Sequence, residues 1–461
     1  MQHPTVNIKE YLHPGVRVHL AGIGGVSMCP LAEVLLDMGL TVQGSDMAES
    51  DTVRKLREQG IDVAVGHSAE NLKDCDLVIR TAAIHDENPE IAGAVARGIP
   101  VYERAQAWGA IMQQYPNALC ISGTHGKTTT TSMATHILMA AQADPTVMIG
   151  GTLPMLRSGY RVGQGDTIVL ESCEYCNSFL NFFPTVAVIL NVEEDHLDFF
   201  KDLEDIKRSF RAFAELAPQR GHVVVNADNQ NALDSVAGIE HPVFTFSVSQ
   251  RTADCYADNV AFFDGCGSFD VMVHGALYAH VDLHVPGKHN ISNALAAASA
   301  AYVLGLDGQA VSHGLADFTG VGRRMEYKGS YHGAELYDDY AHHPTELSTL
   351  LTTARTMGYQ RIICAFQPHT YTRTKALFDD FVQQLRLPDI TILAEIYAAR
   401  EQNLLGISSR DLAAQIPGSI YCSTLDKVTE TLARLAQPGD LLLTVGAGDI
   451  FRAGEKLLEQ A

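Results

Sequence analysis

The sequence predicts an α/β protein with largely parallel sheets, and three observations lead to this fold class. Short apolar runs of strand length alternate with helical patterns along most of the 461 residues. Two glycine-rich turns, GIGGVSM from Gly22 to Met28 and GTHGKTTT from Gly123 to Thr130, each stand between a predicted strand and a predicted helix. The length, at about 100–200 residues per domain, indicates two to four domains.

The pattern divides into blocks of residues 1–108, 109–320 and 321–461, which we predict to be three domains. Between Asp254 and Pro286 it changes to polar/apolar alternation, VMVHGALYAHVDLHV, which favours a small antiparallel insertion in the central domain. A glycine-rich joint, TGVGRR, lies at residues 319–324, where the third block begins.

Each block contains strand-like runs separated by helical patterns. The predicted strands are Arg17–Ala21, Thr41–Ser45 and Leu77–Ala82 in the first block, Ala118–Ser122, Thr167–Glu171, Thr185–Asn191 and His222–Asn226 in the second, and Glu335–Tyr340, Arg361–Gln367, Thr391–Glu395 and Asp440–Val445 in the third. The first helix extends to about Met38 and includes Pro30, which is tolerable only in the first turn of a helix.

The composition is that of a globular protein with a large acidic excess. Hydrophobic residues make up 46% of the chain and charged residues 19%. Lys and Arg number 33 against 54 Asp and Glu, which gives a net charge of −21. This excess disfavours nucleic acid or an anionic membrane as the main partner, because both require a basic face.

The sequence also predicts a cytoplasmic protein without membrane insertion. No apolar run approaches the roughly 18–20 residues that a membrane helix requires. The first residues, MQHPTVNIKEYLHPG, lack the pattern of a signal peptide. Nine cysteines, most of them inside apolar strand-like runs, fit reduced buried thiols better than a disulfide framework.

The segment GTHGKTTT has the residue types that bind nucleotide phosphates. Its glycines let the backbone curl so that N–H groups face phosphate oxygens, and a helix N-terminus adds positive potential. Lys127 supplies a point charge, and the Thr128 hydroxyl can ligate Mg²⁺. The spacing differs from the usual phosphate-binding loop, because a strict match would need glycine at Ile121.

The segment GIGGVSM indicates a turn that approaches a diphosphate closely. Asp46 stands 24 residues after Gly22, at the end of the next predicted strand, where an acidic residue can bind a ribose hydroxyl. The match to the dinucleotide pattern is incomplete at Ser27. These residues alone leave NAD and a UDP-sugar open as ligands.

Two polar groups follow strands of the central block and are candidate metal ligands. Glu171 ends the strand TIVLE, and His196 lies in NVEEDHLD after the strand TVAVILN. Together with Thr128 they could surround Mg²⁺ ions that bridge ATP phosphates. Cys173 and Cys176 form a single CxxC, and without a second pair at suitable spacing a zinc site is disfavoured.

The third block has three polar clusters that each follow a predicted strand. These are DDYAHHPTE (Asp338–Glu346), QPHTYTRTK (Gln367–Lys375) and EIYAAREQN (Glu395–Asn403). All three could line one edge of a parallel sheet, where their histidines, Tyr340 and Arg373 would suit the carboxylate and amine of an amino acid.

Taken together, these segments resemble the Mur ligase family over essentially the whole chain. The resemblance rests on GIGGVSM, NPE, GTHGKTTT, ESCEY, NVEEDHLD, GKHNISNALAA, VGRR, DDYAHHPTE, FQPHTYTRTK and VGAGDI, in the family's order. The ATP loop is shared by all Mur ligases and by folylpolyglutamate synthetases. The first and third blocks are most similar to the members that add L-alanine to UDP-N-acetylmuramate.

The resemblance implies a Rossmann-like N-terminal domain for the UDP-sugar and a central P-loop-type ATPase domain with a mainly parallel sheet. It implies a mobile, Rossmann-like C-terminal domain for the amino acid. ATP and Mg²⁺ are the implied cofactors, and UDP-N-acetylmuramate and L-alanine are the implied substrates, in peptidoglycan synthesis. We expect a monomer or a weak homodimer.

Family roles carry over to the matching positions of this sequence. The implied ATP-binding residues are Gly123, Thr124, His125, Gly126, Lys127, Thr128 and Thr129 at the phosphates, and His289, Asn290, Asn293, Arg324 and Asp339 at the nucleoside. The implied Mg²⁺ ligands are Thr128, Glu171 and His196. The implied substrate-binding residues are Gly22, Gly24, Gly25, Asp46 and His67 for the UDP moiety, and His369 and Arg373 for alanine. The expected catalytic residues are Lys127, Glu171, His196, His343 and Arg373.

The implied reaction activates a carboxylate by phosphoryl transfer from ATP, after which the alanine amine attacks the acyl phosphate. The amine must be neutral, so a base should assist, and His343 or His342 is the candidate. Thr370 stands where many members have arginine, and Cys176 where many have an acid. An acidic chain that binds anions should also gather its cations locally, and we expect this of Lys127, Arg323, Arg324 and Arg373.

Three alternatives stay open from the sequence. A ligase that recycles a whole tripeptide shares the AHHPT motif, although QPHTYTRTK favours alanine. An NAD-dependent dehydrogenase would explain GIGGVSM and Asp46 but not GTHGKTTT. A regulatory ATPase would hydrolyse ATP without either acceptor.

Overall fold

The computed structural model describes residues 7–25, 27–81, 83–196, 199–263, 265–399 and 401–460. Within these residues the chain forms three mainly parallel β-sheets with helices between the strands, so the predicted α/β fold is confirmed. The described chain divides into two compact units. The first takes in residues up to 256, 271–279 and 294–314, and the second takes in 257–270, 280–293 and 315 onwards. The boundaries proposed after residues 108 and 320 stay predictions.

The N-terminal sheet is parallel and has the strand order β3-β2-β1-β4-β5. Its strands are β1 (Arg17–Ala21), β2 (Thr41–Asp46), β3 (Asp62–Val65), β4 (Leu77–Arg80) and β5 (Val101–Glu103). The α-helices of this region are α1 (Met28–Asp37), α2 (Asp51–Glu58), α3 (Pro89–Ala96) and α4 (Arg104–Met112). Pro30 lies in the first turn of α1, as its missing N–H requires. Ala82, the last residue of a predicted strand, lies outside the described residues.

The central sheet has the order β15-β14-β13-β12-β11-β10-β6-β9-β7-β8. Its strands are β6 (Asn117–Ser122), β7 (Thr146–Leu153), β8 (Ser158–Arg161), β9 (Thr167–Glu171), β10 (Val186–Ile189), β11 (His222–Asn226), β12 (Val243–Ser247), β13 (Cys255–Phe263), β14 (Cys266–Val273) and β15 (Ala276–Pro286). The helices are α5 (Lys127–Ala140), α6 (Leu203–Ala214), α7 (Gln230–Val236), α8 (Lys288–Val303) and α9 (Gly308–Ala316). Because β14 and β15 are neighbours joined by His274 and Gly275 alone, they run antiparallel, which confirms the predicted insertion.

The C-terminal sheet has the order β16-β17-β21-β18-β19-β20, and β16 pairs antiparallel with β17. Its strands are β16 (Glu326–Tyr331), β17 (Ala334–Asp339), β18 (Arg361–Phe366), β19 (Ile390–Ala394), β20 (Ile420–Cys422) and β21 (Asp440–Val445). The helices are α10 (Pro344–Arg355), α11 (Tyr371–Ala376), α12 (Phe378–Gln384), α13 (Ser409–Gln415), α14 (Leu425–Leu435) and α15 (Phe451–Leu458). Side chains of β18 alternate between two buried clusters, with Cys364 in one and Ile363 in the other, as a sheet covered on both faces requires.

Strand order in the central sheet fixes where polar loops meet. Strand β6 pairs in parallel with β10 on one side and with β9 on the other. The carboxyl ends of these strands therefore lie side by side, which brings together the segments that follow Ser122, Glu171 and Ile189.

Along the described stretches of chain, every helix is too short or too polar to cross a lipid bilayer.

The backbones of α9 and α5 come unusually close at Gly314. A Cβ there would lie 2.5 Å from Cα of Ile137, in the helix that follows the phosphate loop. Alanine is ordinarily better than glycine in a helix by roughly 0.5–1 kcal/mol. We expect the opposite sign for Gly314→Ala, a loss of about 1–3 kcal/mol in the free energy of unfolding measured with urea, because the two helices must separate.

A control variant tests this explanation on the same helix. His313 is exposed on α9, so His313→Ala should change stability by less than about 0.5 kcal/mol. A Gly314→Ala protein as stable as the wild type would contradict the close approach of the helices.

Candidate active site

The loop before α5 is shaped by two left-handed glycines and held by the segment that follows β10. Gly123 has φ 150° and Gly126 has φ 83°, conformations that glycine adopts without strain. The N–H of Thr124 donates to the carbonyl oxygen of Asn191 at 3.1 Å, and the N–H of His125 donates to Asn191 Oδ1 at 2.7 Å. The curl of the loop is therefore fixed by the protein itself.

The ammonium group of Lys127 lies inside this curl with a buried carboxylate beside it. Its Nζ lies 3.0 and 3.2 Å from the two carboxylate oxygens of Glu174, which is 2% exposed. It also donates to the carbonyl oxygens of Gly123 at 2.5 Å and Thr124 at 3.1 Å. Burial alone would lower the pKa of Lys127, but the surrounding acidic groups, with Glu174 the largest contributor, together raise that pKa. Lys127 is therefore a cation in this site.

Thr128 and Glu171, two of the expected magnesium ligands, are in direct contact. The Thr128 hydroxyl donates to Glu171 Oε1 at 3.0 Å, and the N–H of Gly150 donates to Oε2 at 2.7 Å. A Cβ at position 150 would lie 2.6 Å from Oε1, so glycine lets β7 approach the carboxylate. A hydroxyl and a carboxylate are oxygen ligands of the kind that Mg²⁺ prefers, so this pair fits a shared ion.

His196, the third expected ligand, contacts Glu174. Its Nε2 lies 3.7 Å from Glu174 Oε1, and its ring centroid lies 4.7 Å from that of Tyr175. Its backbone has φ 53°, a left-handed conformation that few non-glycine residues adopt. The described residues include no group of three or more His, Cys, Asp or Glu arranged around a metal position.

The two cysteines of the CxxC segment differ in environment. Burial raises the pKa of the Cys173 thiol to about 11, whereas Cys176 is exposed. Cys176 and Asn177 both have left-handed backbone, with φ 53° and 54°, so the chain turns sharply after Tyr175. A thiol with so high a pKa is a poor thiolate nucleophile at neutral pH.

At the N-terminal sheet, the first glycine-rich turn and Asp46 lie together. The N–H of Gly22 donates to the carbonyl oxygen of Ser45 at 2.8 Å, and that of Gly24 donates to Asp46 Oδ2 at 2.9 Å. The N–H of Gly25 donates to the carbonyl oxygen of Gly22 at 3.1 Å. One oxygen of Asp46 thus holds the turn in place.

Next to this turn, the carboxylate of Glu90 is fully buried among polar groups. It accepts hydrogen bonds from the Ser45 hydroxyl at 2.6 Å and from Asn71 Nδ2 at 2.6 Å. His67 Nδ1 lies 3.0 Å from Oε2, and His19 Nε2 lies 3.4 Å from it. Burial alone would raise the pKa of Glu90, but the nearby His19 ring and the hydrogen bonds from Ser45 and Asn71 lower it to about 2. His67, which is expected at the UDP moiety, is therefore held by Glu90.

In the C-terminal unit, Asp339 binds backbone groups. Its Oδ2 accepts the N–H of Met325 and its Oδ1 accepts the N–H of Ala341, both at 2.8 Å. Burial raises the pKa of Asp339 to about 6, although the charge of Arg324 and the two N–H donors act in the opposite direction. The expected ribose ligand thus also holds the turn that carries Arg324.

The candidate bases lie at the start of α10. The ring of His343 caps the helix, because its Nδ1 accepts the N–H of Thr345 at 3.3 Å. His342 Nδ1 lies 3.0 Å from the carbonyl oxygen of Tyr340 and 3.4 Å from Glu346 Oε2. Each histidine therefore has a structural partner on one ring nitrogen.

The two residues expected at the alanine carboxylate are neighbours. Arg373 Nη1 lies 3.4 Å from His369 Nδ1, and the His369 ring stacks on Tyr397 at 5.7 Å between centroids. Thr370, which replaces an expected arginine, has φ 68° and donates its N–H to the carbonyl oxygen of Tyr397 at 2.9 Å.

The residues expected at the adenine lie at the start of α8. His289 is exposed, whereas Asn290 and Asn293 are buried. Asn293 Nδ2 donates to Asn290 Oδ1 at 3.1 Å, and Asn290 Nδ2 donates to the carbonyl oxygen of Pro286 at 2.8 Å.

Comparison with known proteins gives the family. Residues 17–116 match the "Mur ligase family, catalytic domain", residues 121–301 the "Mur ligase middle domain", and residues 323–448 the "Mur ligase, glutamate ligase domain". The chain is 45% identical to the UDP-N-acetylmuramate–L-alanine ligase of Agathobacter rectalis over 96% of this chain and 98% of that protein. This chain belongs to the Mur ligase family.

Solved structures of Mur ligases show the same architecture. The UDP-N-acetylmuramate–alanine ligase of Thermotoga maritima has a TM-score of 0.82 and 28% identity, and the alignment covers 96% of this chain and 98% of that one. A murein peptide ligase of Psychrobacter arcticus has a TM-score of 0.75 and 26% identity over the same shares.

Two buried carboxylates of this Mur ligase were not predicted as site residues. Glu174 stands in ESCEY, but the strand ends at Glu171 and no periodicity then shows which side chains turn toward Lys127. Glu90 stands in NPE, where Asn88 caps α3 and an acid in the first turn is ordinary helix chemistry. Only the tertiary fold brings His67, which stands on another loop, next to Glu90.

We predict that Glu90 stabilises this Mur ligase in a pH-dependent way. Its pKa is lowered from 4.5 to about 2 in the folded protein. Ionised Glu90 therefore contributes roughly 3 kcal/mol at pH 7, and this is lost as the pH falls from about 4.5 toward 2. In urea unfolding, Glu90→Gln should lower the free energy of unfolding at pH 7, and its difference from wild type should shrink below pH 4.5.

The exposed Glu58→Gln provides the control and should leave stability unchanged across this range. A Glu90→Gln difference that is constant from pH 7 to pH 3 would show that the carboxylate is not stabilised as its partners indicate.

A double-mutant cycle tests the pair Lys127–Glu174. Removing either partner leaves a buried charge uncompensated, so we expect Lys127→Met and Glu174→Gln each to cost about 3–5 kcal/mol in urea unfolding. The double variant should lose clearly less than the sum. The more exposed pair Lys207–Asp234, also at 3.0 Å, is the matched control and should show far weaker coupling. Additive losses at Lys127 and Glu174 would rule out the interaction.

Proposed function

We propose that this protein is an ATP-dependent ligase that joins L-alanine to the carboxylate of UDP-N-acetylmuramate, with ADP and phosphate as the other products. The reaction belongs to peptidoglycan synthesis. The observation that carries the proposal is the 45% identity, over 96% of the chain, to the L-alanine ligase of Agathobacter rectalis. The phosphate loop, the Thr128–Glu171 pair and the turn at Gly22 support it.

The first step transfers the γ-phosphoryl group of ATP to the sugar's carboxylate, so the protein must position the reactants and balance charge. The N–H groups of Thr124 and His125 are bonded to Asn191. We therefore expect phosphate contacts from the amides that begin α5, up to Thr129. Lys127 carries its charge at the loop and would exchange part of its contact with Glu174 for the phosphates.

We propose that Thr128 and Glu171 hold one Mg²⁺ ion and that Glu171 and His196 hold a second. Bound with ATP, the ion would neutralise charge that develops on the transferring phosphoryl group. The Glu171 carboxylate is already oriented by Gly150 and by Thr128, so this ligand pair needs little rearrangement.

For the second step, we propose that Arg373 and His369 bind the alanine carboxylate. Thr370 supplies no cation there, so Arg373 is the single guanidinium in the segment QPHTYTRTK. Because His343 caps α10 through Nδ1, only its Nε2 could take the proton of the amine. His342 is the alternative base.

The proposal is tested by phosphate release from ATP and Mg²⁺ with UDP-N-acetylmuramate and one of L-alanine, glycine, L-glutamate or the tripeptide. We expect release that needs both the sugar acid and L-alanine. Lys127→Ala should lower it by on the order of 10²–10³-fold, the effect of removing one preorganised charge donor. The exposed Lys201→Ala is the control and should keep wild-type turnover.

The other possible results would assign a different function to the protein. Release only with the tripeptide would indicate a recycling ligase, in line with the similarity to the murein peptide ligase of Psychrobacter arcticus. Release that ignores every acceptor would leave an ATPase and overturn the proposal.

A further inference from the structure

An arginine outside the predicted site contacts the first glycine-rich turn. Arg104 is the first residue of α4, and its guanidinium donates to the hydroxyl of Ser27, which ends the turn and precedes α1. The Ser27 hydroxyl makes no helix-capping bond. Trp108, one turn further along α4 and fully buried, donates its ring N–H to the Ser27 carbonyl oxygen at 3.4 Å. Helix α4 is thus fixed against the turn at two points.

The guanidinium of Arg104 is partly buried, and buried cations are normally paired with a carboxylate. Among the described residues, no carboxylate oxygen lies within 4 Å of its guanidinium, whereas nearby Arg80 pairs with Asp86 at 2.6 Å and Glu103 at 3.5 Å. Desolvation lowers the pKa of Arg104, against a weaker opposite effect of Cys173 and Glu103. A partly buried cation without a counter-ion gains most when an anion binds beside it.

The helix that begins at Arg104 also contacts the segment that follows β9. Helix α4 also packs closely on the segment after Cys173, since a Cβ at Gly109 would lie 1.9 Å from the carbonyl oxygen of Asn181. The first glycine-rich turn, α4 and the phosphate loop all belong to the first compact unit.

We propose that the guanidinium of Arg104 binds the diphosphate of UDP-N-acetylmuramate. This rests on the proposed function and names a substrate-binding residue for it. The planar guanidinium matches phosphate oxygens with paired N–H donors, and Ser27 keeps it at the turn where the backbone can approach a diphosphate. The carboxylate of the sugar acid is the other anion of the substrate, but Arg104 is anchored at the turn rather than at Lys127.

Calorimetric titration with three ligands tests this assignment. UDP contains the diphosphate without the sugar acid, UDP-N-acetylmuramate contains both anions, and uridine contains neither. For Arg104→Met we expect the dissociation constants of UDP and UDP-N-acetylmuramate to rise by the same factor, about 10–100-fold. Uridine binding should stay at the wild-type value, which a merely structural role of Arg104 would not allow.

Two further variants complete the test. The exposed Arg54→Met, on α2, is the matched control and should bind all three ligands normally. Arg104→Lys keeps the charge without the paired donors and should lose less affinity than Arg104→Met, so it also serves if Arg104→Met does not fold.

The remaining results would overturn the assignment. Weaker binding of UDP-N-acetylmuramate with unchanged UDP binding would place Arg104 at the carboxylate, and unchanged binding of both would remove it from the site. An equal loss for uridine would show a structural effect. Phosphate release by the wild-type protein, measured in parallel, separates these results from a failure of the proposed function, in which UDP-N-acetylmuramate would stimulate no release at all.

Discussion

The pairing of β6 with β9 and β10 is the constraint on which the candidate active site depends. Parallel strands end at the same edge of a sheet, so three segments distant in sequence must meet there. Asn191 then holds the phosphate loop, and Glu171 reaches Thr128. Glu174, a few residues further, reaches Lys127. None of these contacts could form if the strand order were different.

Charge in this acidic chain is balanced locally. The net charge of −21 would repel phosphorylated substrates unless cations were concentrated where those substrates bind. Lys127 has a buried carboxylate to hold it in the absence of nucleotide, whereas the guanidinium of Arg104 donates to the Ser27 hydroxyl and has no carboxylate within 4 Å among the described residues. Lys127 is thus paired with a carboxylate of the protein, whereas Arg104 would be paired with an anionic ligand. Both arrangements lower the cost of burying a charge.

Several predicted site residues have structural partners as well as expected ligands. Asp46 binds the N–H of Gly24, Asp339 binds two backbone N–H groups, and His343 caps α10. These bonds orient the side chains before any ligand is present, and preorganised groups lose little entropy on binding. They also limit the chemistry, because an atom that already accepts a hydrogen bond has less capacity for a second partner.

Local features of the sequence were enough to determine the fold class, the two glycine-rich turns and the antiparallel insertion. Alternation of strand and helix patterns, left-handed glycines and the period of two are properties of neighbouring residues. Tertiary structure alone decided which charged groups became partners. Glu90 meets His67, Glu174 meets Lys127 and Arg104 meets Ser27 across separate elements. Such pairing depends on strand order and helix packing, which no spacing along the chain encodes.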